Sequence, residues 1–165
     1  MRIENELKLD FSDVLIRPKR STLKSRKDVD LTRTYKFLHA KGRQWTGIPI
    51  MASNMDGVGT IQMALAMQKE QLLTVLVKSY GVEDIKPFAN QLHPDLTVFS
   101  TGVSESDLTR LETILKTFPQ FYMICIDVAN GYSEFFAEFV AKVRQRHPES
   151  VIRFEKVKGF SHMMA

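Results

Sequence analysis

Four short segments of the 165-residue chain carry side chains able to hold a polar ligand. They are Ser53-Asn54-Met55-Asp56-Gly57, Lys78-Ser79-Tyr80, Ser100-Thr101-Gly102 and Asp127-Val128-Ala129-Asn130-Gly131-Tyr132. Each follows an apolar run, so its hydroxyl, amide, carboxylate or ammonium groups stand at the end of a buried element. Together such groups suit a ligand with ribose and phosphate parts. About half of them are equally well explained as helix caps and turn formers. Lys78 and Asp127 are the hardest to explain that way, because a charge directly after a buried strand must meet water, a partner or a ligand.

Other chemistries leave little trace. No G-x-G-x-x-G and no G-x-x-x-x-G-K-[ST] occurs, so the sequence has neither a dinucleotide fingerprint nor a P-loop. His39, His93, His147 and His162 are scattered without metal-ligand spacing and read as surface residues, so no metal site is expected. The single cysteine, Cys125, lies inside an apolar run and reads as a small packed hydrophobe rather than a nucleophile. The eight methionines read as core filler.

The elements behind these segments alternate regularly. Apolar runs at 48–52, 72–77, 96–99, 121–126 and 151–154 read as strands. Between them, a helical stretch over 57–68 carries Ile61, Ala64 and Leu65. A second helix is expected around Asp84–Leu92, with Asp84 as N-cap and Pro87 tolerated in its first turn. Ser104 with Asp107 resembles a capping box that opens a helix with Leu108, Leu111 and Leu115 on one face. A fourth helix places Phe136, Phe139, Val140 and Val143 together, and Pro148 stops it. Strands apolar throughout, separated by amphipathic helices, imply right-handed βαβ units and a parallel sheet.

Two architectures satisfy that pattern: a flavodoxin-like open sheet, or half of a (β/α)8 TIM barrel, which needs about 250 residues when whole. In both, ligands gather at the C-terminal ends of the strands, where the four polar segments fall.

Charge is concentrated. Arg17, Lys19, Arg20, Lys24, Arg26 and Lys27 supply six of the 23 bases, and the remaining 17 face 19 acids. A local basic patch suits an anionic small molecule or an acidic partner face. No nucleic-acid-binding signature accompanies it, so nucleic acid is not expected. A solvated loop rich in Lys and Arg remains the plain alternative. No run approaches 18 apolar residues and the first residues lack an apolar core, so neither a membrane span nor a secretory signal is expected. One cysteine allows no internal disulfide and fits a reducing cytoplasm.

Three long motifs resemble a known family. They are Leu7-Lys8-Leu9-Asp10-Phe11 continuing through Asp13–Arg26, then Asn54-Met55-Asp56 with Val58-Gly59-Thr60, and Cys125 through Glu134. All three are similar to the N-terminal half of the GMP reductases, in the IMP dehydrogenase/GMP reductase family. The match runs from Met1 to about Ile152, implying an N-terminal half-barrel over 1–152 and a divergent tail over 153–165. IMP dehydrogenases usually carry an inserted module after the second strand. Here Lys78-Ser79-Tyr80 runs straight into the next helix, which favours the reductase.

The resemblance implies a barrel enzyme that reduces GMP to IMP and ammonia with NADPH, usually as a homotetramer. Carried over by position, Ser25 and Arg26 correspond to a cofactor contact reaching into a neighbouring subunit. Lys78 and Asp127-Val128-Ala129 correspond to NADPH contacts within the subunit, and Ser53 and Met55 to positions near the purine nucleotide. Gly57 stands where the family usually has Thr, and Val77 and Ser79 flank Lys78 where histidines are common. After Ile152 the family continues Ala-Gly-Asn-Val, whereas this chain reads Arg153-Phe154-Glu155-Lys156. The family's nucleophilic cysteine, monovalent-cation site and GMP phosphate loops belong to the other half. The resemblance therefore leaves three readings: a GMP reductase by descent, an inactive truncated fragment that associates with another chain or with itself, or a small binding module that kept nucleotide contacts.

Overall fold

The computed structural model describes residue 7 and residues 9–156; the tail expected beyond 156, His162 included, lies outside them. Two compact units divide the chain, 1–30 and 31–165. In the first, Asp10 caps a 3-10 turn over Phe11–Asp13, and Ser25 caps another over Arg26–Asp28.

In the second unit the elements run β1 (Arg33–Lys36), β2 (Gln44–Ala52), α1 (Ile61–Met67), β3 (Leu72–Leu76), α2 (Val82–Ile85), β4 (Thr97–Thr101), α3 (Glu105–Thr117), β5 (Met123–Val128), α4 (Glu134–Arg146) and β6 (Val151–Lys156). The six strands form one sheet in sequence order. Only β1 is antiparallel, pairing Arg33–Lys36 with Gln44–Gly47, and every later pair is parallel. A flavodoxin-like sheet would reverse its strand order at a switch point. Strictly sequential order rules that alternative out and leaves an open arc equivalent to half a TIM barrel.

The strands read as continuous apolar runs because both faces are covered. Leu76, Phe99, Ile124, Ile126 and Ile152 pack outward against α1 to α4, meeting Ile61, Ile85, Leu108, Leu111, Phe136, Phe139 and Val143. The residues of opposite parity, Leu73, Val75, Val98, Met123 and Cys125, form a separate inner cluster with Trp45. The sheet is curved: Pro49 and Met51 of β2 and Val151 to Phe154 of β6 line one and the same trough, and Arg153 contacts Met51 across it. Laid flat, the strands would set β2 and β6 about 19 Å apart, beyond the reach of these two side chains. The sheet therefore curls, and its inner face becomes a trough of about 510 Å³.

Local chemistry sets the helix starts. Thr60, Ser104 and Ser133 each accept a backbone N–H with the side-chain oxygen, from Met63, Asp107 and Phe136 respectively. Two expectations shift. α1 begins at Ile61 rather than Gly57, because residues 53–59 form a tight loop. α2 begins at Val82 with Asp84 inside it, where the Asp84 carboxylate accepts the Gly81 N–H at 2.8 Å. Pro87 has no N–H and ends that helix after a single turn, so the segment to Leu92 continues as turns. The β1–β2 hairpin carries no strong periodicity and is legible only in the structure.

Candidate functional site

The loop after β2 is fixed over the end of β3. Val58 and Gly59 both donate to the Met55 carbonyl at 2.9 Å, and Val77 donates to the Gly59 carbonyl at 2.9 Å. A Cβ on Gly59 would lie 2.3 Å from the Val75 carbonyl oxygen, so only glycine permits this approach. Gly57 adopts φ +78°, a left-handed conformation that glycine takes without steric cost. Ser53 is half-buried in this loop and Met55 is exposed.

A second lock joins the ends of β3 and β4. Arg110 on α3 donates through Nη1 to the Tyr80 carbonyl at 2.9 Å and through Nη2 to the Ser100 carbonyl at 3.1 Å. The Ser100 hydroxyl donates to the Leu76 carbonyl. Burial lowers the pKa of the Arg110 guanidinium from its ordinary value, and nearby Asp107 opposes that shift. The sequence reading did not single out Arg110. Its signal was a cation between Leu108 and Leu111 on the buried side of α3.

Across these fixed ends, Lys78 and Asp127 meet. Lys78 Nζ lies 3.7 Å from Asp127 Oδ2, with side-chain exposures of 51% and 23%. They sit on strands two apart in the sheet, so their pairing arches over the end of β4. An ion pair this open contributes about 0–1 kcal/mol to stability. Its chemical value is placement: an accessible ammonium able to meet a phosphate stands beside a carboxylate able to accept a hydroxyl or amide hydrogen bond. Val128 closes β5 and Ala129 follows it, exposed. Asn130 Oδ1 accepts the Tyr132 N–H at 3.1 Å, turning the chain into α4.

Ser25 and Arg26 lie in the first unit. There the Ser25 hydroxyl accepts the Lys27 N–H at 3.2 Å, and the Ser25 N–H donates to Asp28 Oδ2 at 3.0 Å. Of the candidate residues, the structure thus brings Lys78 and Asp127 into direct contact on one rim, with Ser53 and Met55 in the loop beside them. Cys125 is fully buried. His39 and His93 are exposed, but His147 is half-buried at the end of α4, correcting its reading as a surface residue. No group of three or more His, Cys, Asp or Glu among the described residues is placed to hold a metal ion.

At the opposite, N-terminal end of the strands is a polar cluster that sequence reasoning missed. Trp45 Nε1 donates to the Asp95 carbonyl at 2.6 Å, Tyr122 donates to Asp95 Oδ1 at 2.7 Å, and Arg43 lies 4.6 Å over the Tyr122 ring. Burial and the Asp95 carboxylate push the Tyr122 phenol well above its ordinary pKa, so it stays a donor.

The family description "IMP dehydrogenase / GMP reductase domain" matches residues 8–157. The chain belongs to this family. It is 51% identical over 154 residues to a GMP reductase of Caenorhabditis elegans, covering 92% of this chain and 43% of that protein. It is 53% identical over 153 residues to GMP reductase 2 of Bos taurus, covering 91% and 43%. An Escherichia coli GMP reductase is 50% identical over 155 residues, covering 92% and 44%. The chain thus spans under half the length of these relatives. Among solved structures, the inosine 5'-monophosphate dehydrogenase of Legionella pneumophila superposes with TM-score 0.72 at 24% identity, covering 89% of this chain and 43% of that one. That likeness carries the barrel fold, of which this open sheet is a half. Among the described residues, no helix is long and apolar enough to cross a membrane.

Proposed function

We propose that this chain is the cofactor-side half of a GMP reductase-type barrel, cytoplasmic, with residues 1–152 forming the half-barrel and 153–165 a divergent tail. Its rim binds NADPH, and GMP or IMP approaches from the Ser53–Met55 loop. The observation that carries this reading is the Lys78–Asp127 pair, 3.7 Å apart at the C-terminal ends of parallel strands. A nucleotide cofactor fits that donor set. Lys78 meets a phosphate oxygen, the Asp127 carboxylate accepts from a ribose hydroxyl or the carboxamide, and Val128 and Ala129 offer backbone groups. Ser25 and Arg26, in the basic first unit, extend the cofactor site of a neighbouring subunit. NADPH supplies the hydride that reduces GMP to IMP with release of ammonia. The covalent step of this chemistry requires a thiolate, and the one cysteine of these 165 residues is sealed inside β5. We therefore assign these residues binding and positioning, and no complete turnover on their own.

The inactive-fragment reading shares this binding role and adds association with another chain or a second copy through the open sheet edges. Exposed strand edges favour such pairing. The test is NADPH titration of the purified 165-residue chain, with GMP-dependent oxidation at 340 nm and ammonia release followed in parallel. The expected result is NADPH binding that Lys78→Ala weakens about tenfold, the worth of one charge-assisted contact, without turnover. Unchanged affinity in Lys78→Ala removes that residue from the site. Oxidation matched by ammonia overturns the assignment of catalysis to groups outside these residues.

A further inference from the structure

A second recess, of about 250 Å³, opens at the end of the sheet opposite the nucleotide rim. One wall is the end of β1 with the residues after it, Tyr35 to His39; the other is the turn from α4 into β6, with Arg144 and Ser150. Arg144 is clasped there. Its Nη1 donates to the carbonyls of His147 at 3.2 Å, Pro148 at 3.2 Å and Ser150 at 2.7 Å. Those bonds fix the guanidinium and meet the negative end of the α4 dipole. Nη2 and Nε have no partner among the described residues. Ser150 is 9% exposed, and its hydroxyl likewise has no partner among the described residues. A buried hydroxyl left unpaired costs about 1–3 kcal/mol, so a ligand that bonds it is favoured. Lys36 and His39 add an ammonium and an imidazole from the exposed side. Among the described residues no acidic side chain lines the recess, and the neighbouring Glu149 carboxylate is tied to Lys41. Burial lowers the pKa of the Arg144 guanidinium, and a cation short of water gains more from an anion than one in open solvent.

We propose that this recess binds a phosphate group, carried by a small ester or present as the free ion, independently of the nucleotide rim. The number of donors selects it. The free edge of a fixed guanidinium, a hydroxyl, an ammonium and an imidazole reach one recess from two separated segments of the chain, 36–39 and 144–150. A carboxylate has only two oxygens to offer them, whereas a phosphate presents three or four around a tetrahedron. Phe37 and Ile152 give the rest of the wall an apolar surface for the organic part of an ester.

The test is calorimetric titration of the 165-residue protein, in a phosphate-free buffer, with inorganic phosphate, phenyl phosphate and benzoate. The expected result is one phosphate or phenyl phosphate per chain. Benzoate should bind at least about tenfold more weakly than phenyl phosphate, the worth of one charge-assisted bond. Phenyl phosphate tighter than inorganic phosphate identifies an ester as the ligand, and the reverse identifies the free ion; each supports the site. Lys36→Met should weaken phosphate binding about tenfold and Ser150→Ala about fivefold. Lys36 is exposed and Ser150→Ala removes a single oxygen, so both variants keep the fold, which far-UV circular dichroism checks. The proposal is overturned by benzoate binding as tightly as phenyl phosphate, by no saturable phosphate binding, or by affinity unchanged in both variants. It is also overturned if Lys78→Ala abolishes phosphate binding, which would place the ion at the nucleotide rim.

Discussion

Replacing Gly59 by alanine should damage this structure more than any surface glycine change. The added Cβ would stand 2.3 Å from the Val75 carbonyl oxygen, and 2.9 Å from both the Asn54 Cα and the Ser53 carbonyl oxygen. All three are backbone atoms, so no side chain can swing aside. The loop must move off β3 by about 0.7 Å merely to reach 3.0 Å. Overpacking of this kind costs about 1–3 kcal/mol. The same movement stretches the 2.9 Å bond from the Val77 N–H to the Gly59 carbonyl, a further loss of about 1 kcal/mol. The sum, about 3 kcal/mol, corresponds in a domain of this size to a fall of about 6–12 °C in Tm. Urea unfolding followed by Trp45 fluorescence and far-UV circular dichroism measures it. Gly42→Ala is the control: φ is +76° with nothing within 4 Å, so only left-handed strain of about 1–2 kcal/mol applies. If Gly59→Ala costs no more than Gly42→Ala, the close approach of loop and strand is refuted.

Ser104→Ala removes the side-chain cap accepted from the Asp107 N–H at 3.1 Å and should cost about 1 kcal/mol in urea unfolding. Leu111→Ala opens a cavity at a fully buried position facing the sheet and should cost about 2–5 kcal/mol by the same measurement. Arg110→Met releases the Tyr80 and Ser100 carbonyls together; we expect a loss of about 2 kcal/mol and weaker NADPH binding, read by titration. Burial lowers the His147 pKa, with Glu112 opposing that shift and Arg146 reinforcing it. Below its ordinary value of 6.5 the unfolded chain then binds the proton more readily than the folded one. Stability should therefore fall on acidification from neutrality through that range. His147→Gln should flatten this part of the pH profile, and an unchanged profile would refute the assignment.

Much of this architecture was legible because the signals were local. The apolar runs fixed β3 to β6 closely, since strands covered on both faces need no alternation to be seen. Ser104 marked a helix start through a hydroxyl that has one obvious use, while the equivalent cap at Ser133 emerged only in the structure. α2 misled because Asp84 is both a good cap and a good third helical residue; Pro87, two positions after Ile85, was the stronger constraint. β1 was invisible because Arg33-Thr34-Tyr35-Lys36 is exposed along its length and becomes a strand only by pairing with β2. At the rim, charge after a buried strand identified Lys78 and Asp127, and the resemblance gave them a role. Their contact across an intervening strand is a product of sheet order, which no local pattern encodes. Arg110, Trp45 and Asp95 escaped notice for the same reason: their partners lie 10 to 50 residues away.

The sequential strand order has a consequence for how the molecule comes into being. Every parallel strand finds its partner one βα unit earlier, so no pairing waits for a distant part of the chain to be synthesised. Contacts of short sequence separation close cheaply and fast. The sheet can accrete on the ribosome, each unit docking on the last as it emerges, with β6 as the growing edge. Each βα unit of this open arc can thus dock on the one before it, and none of the pairings seen here waits for a strand further along the chain.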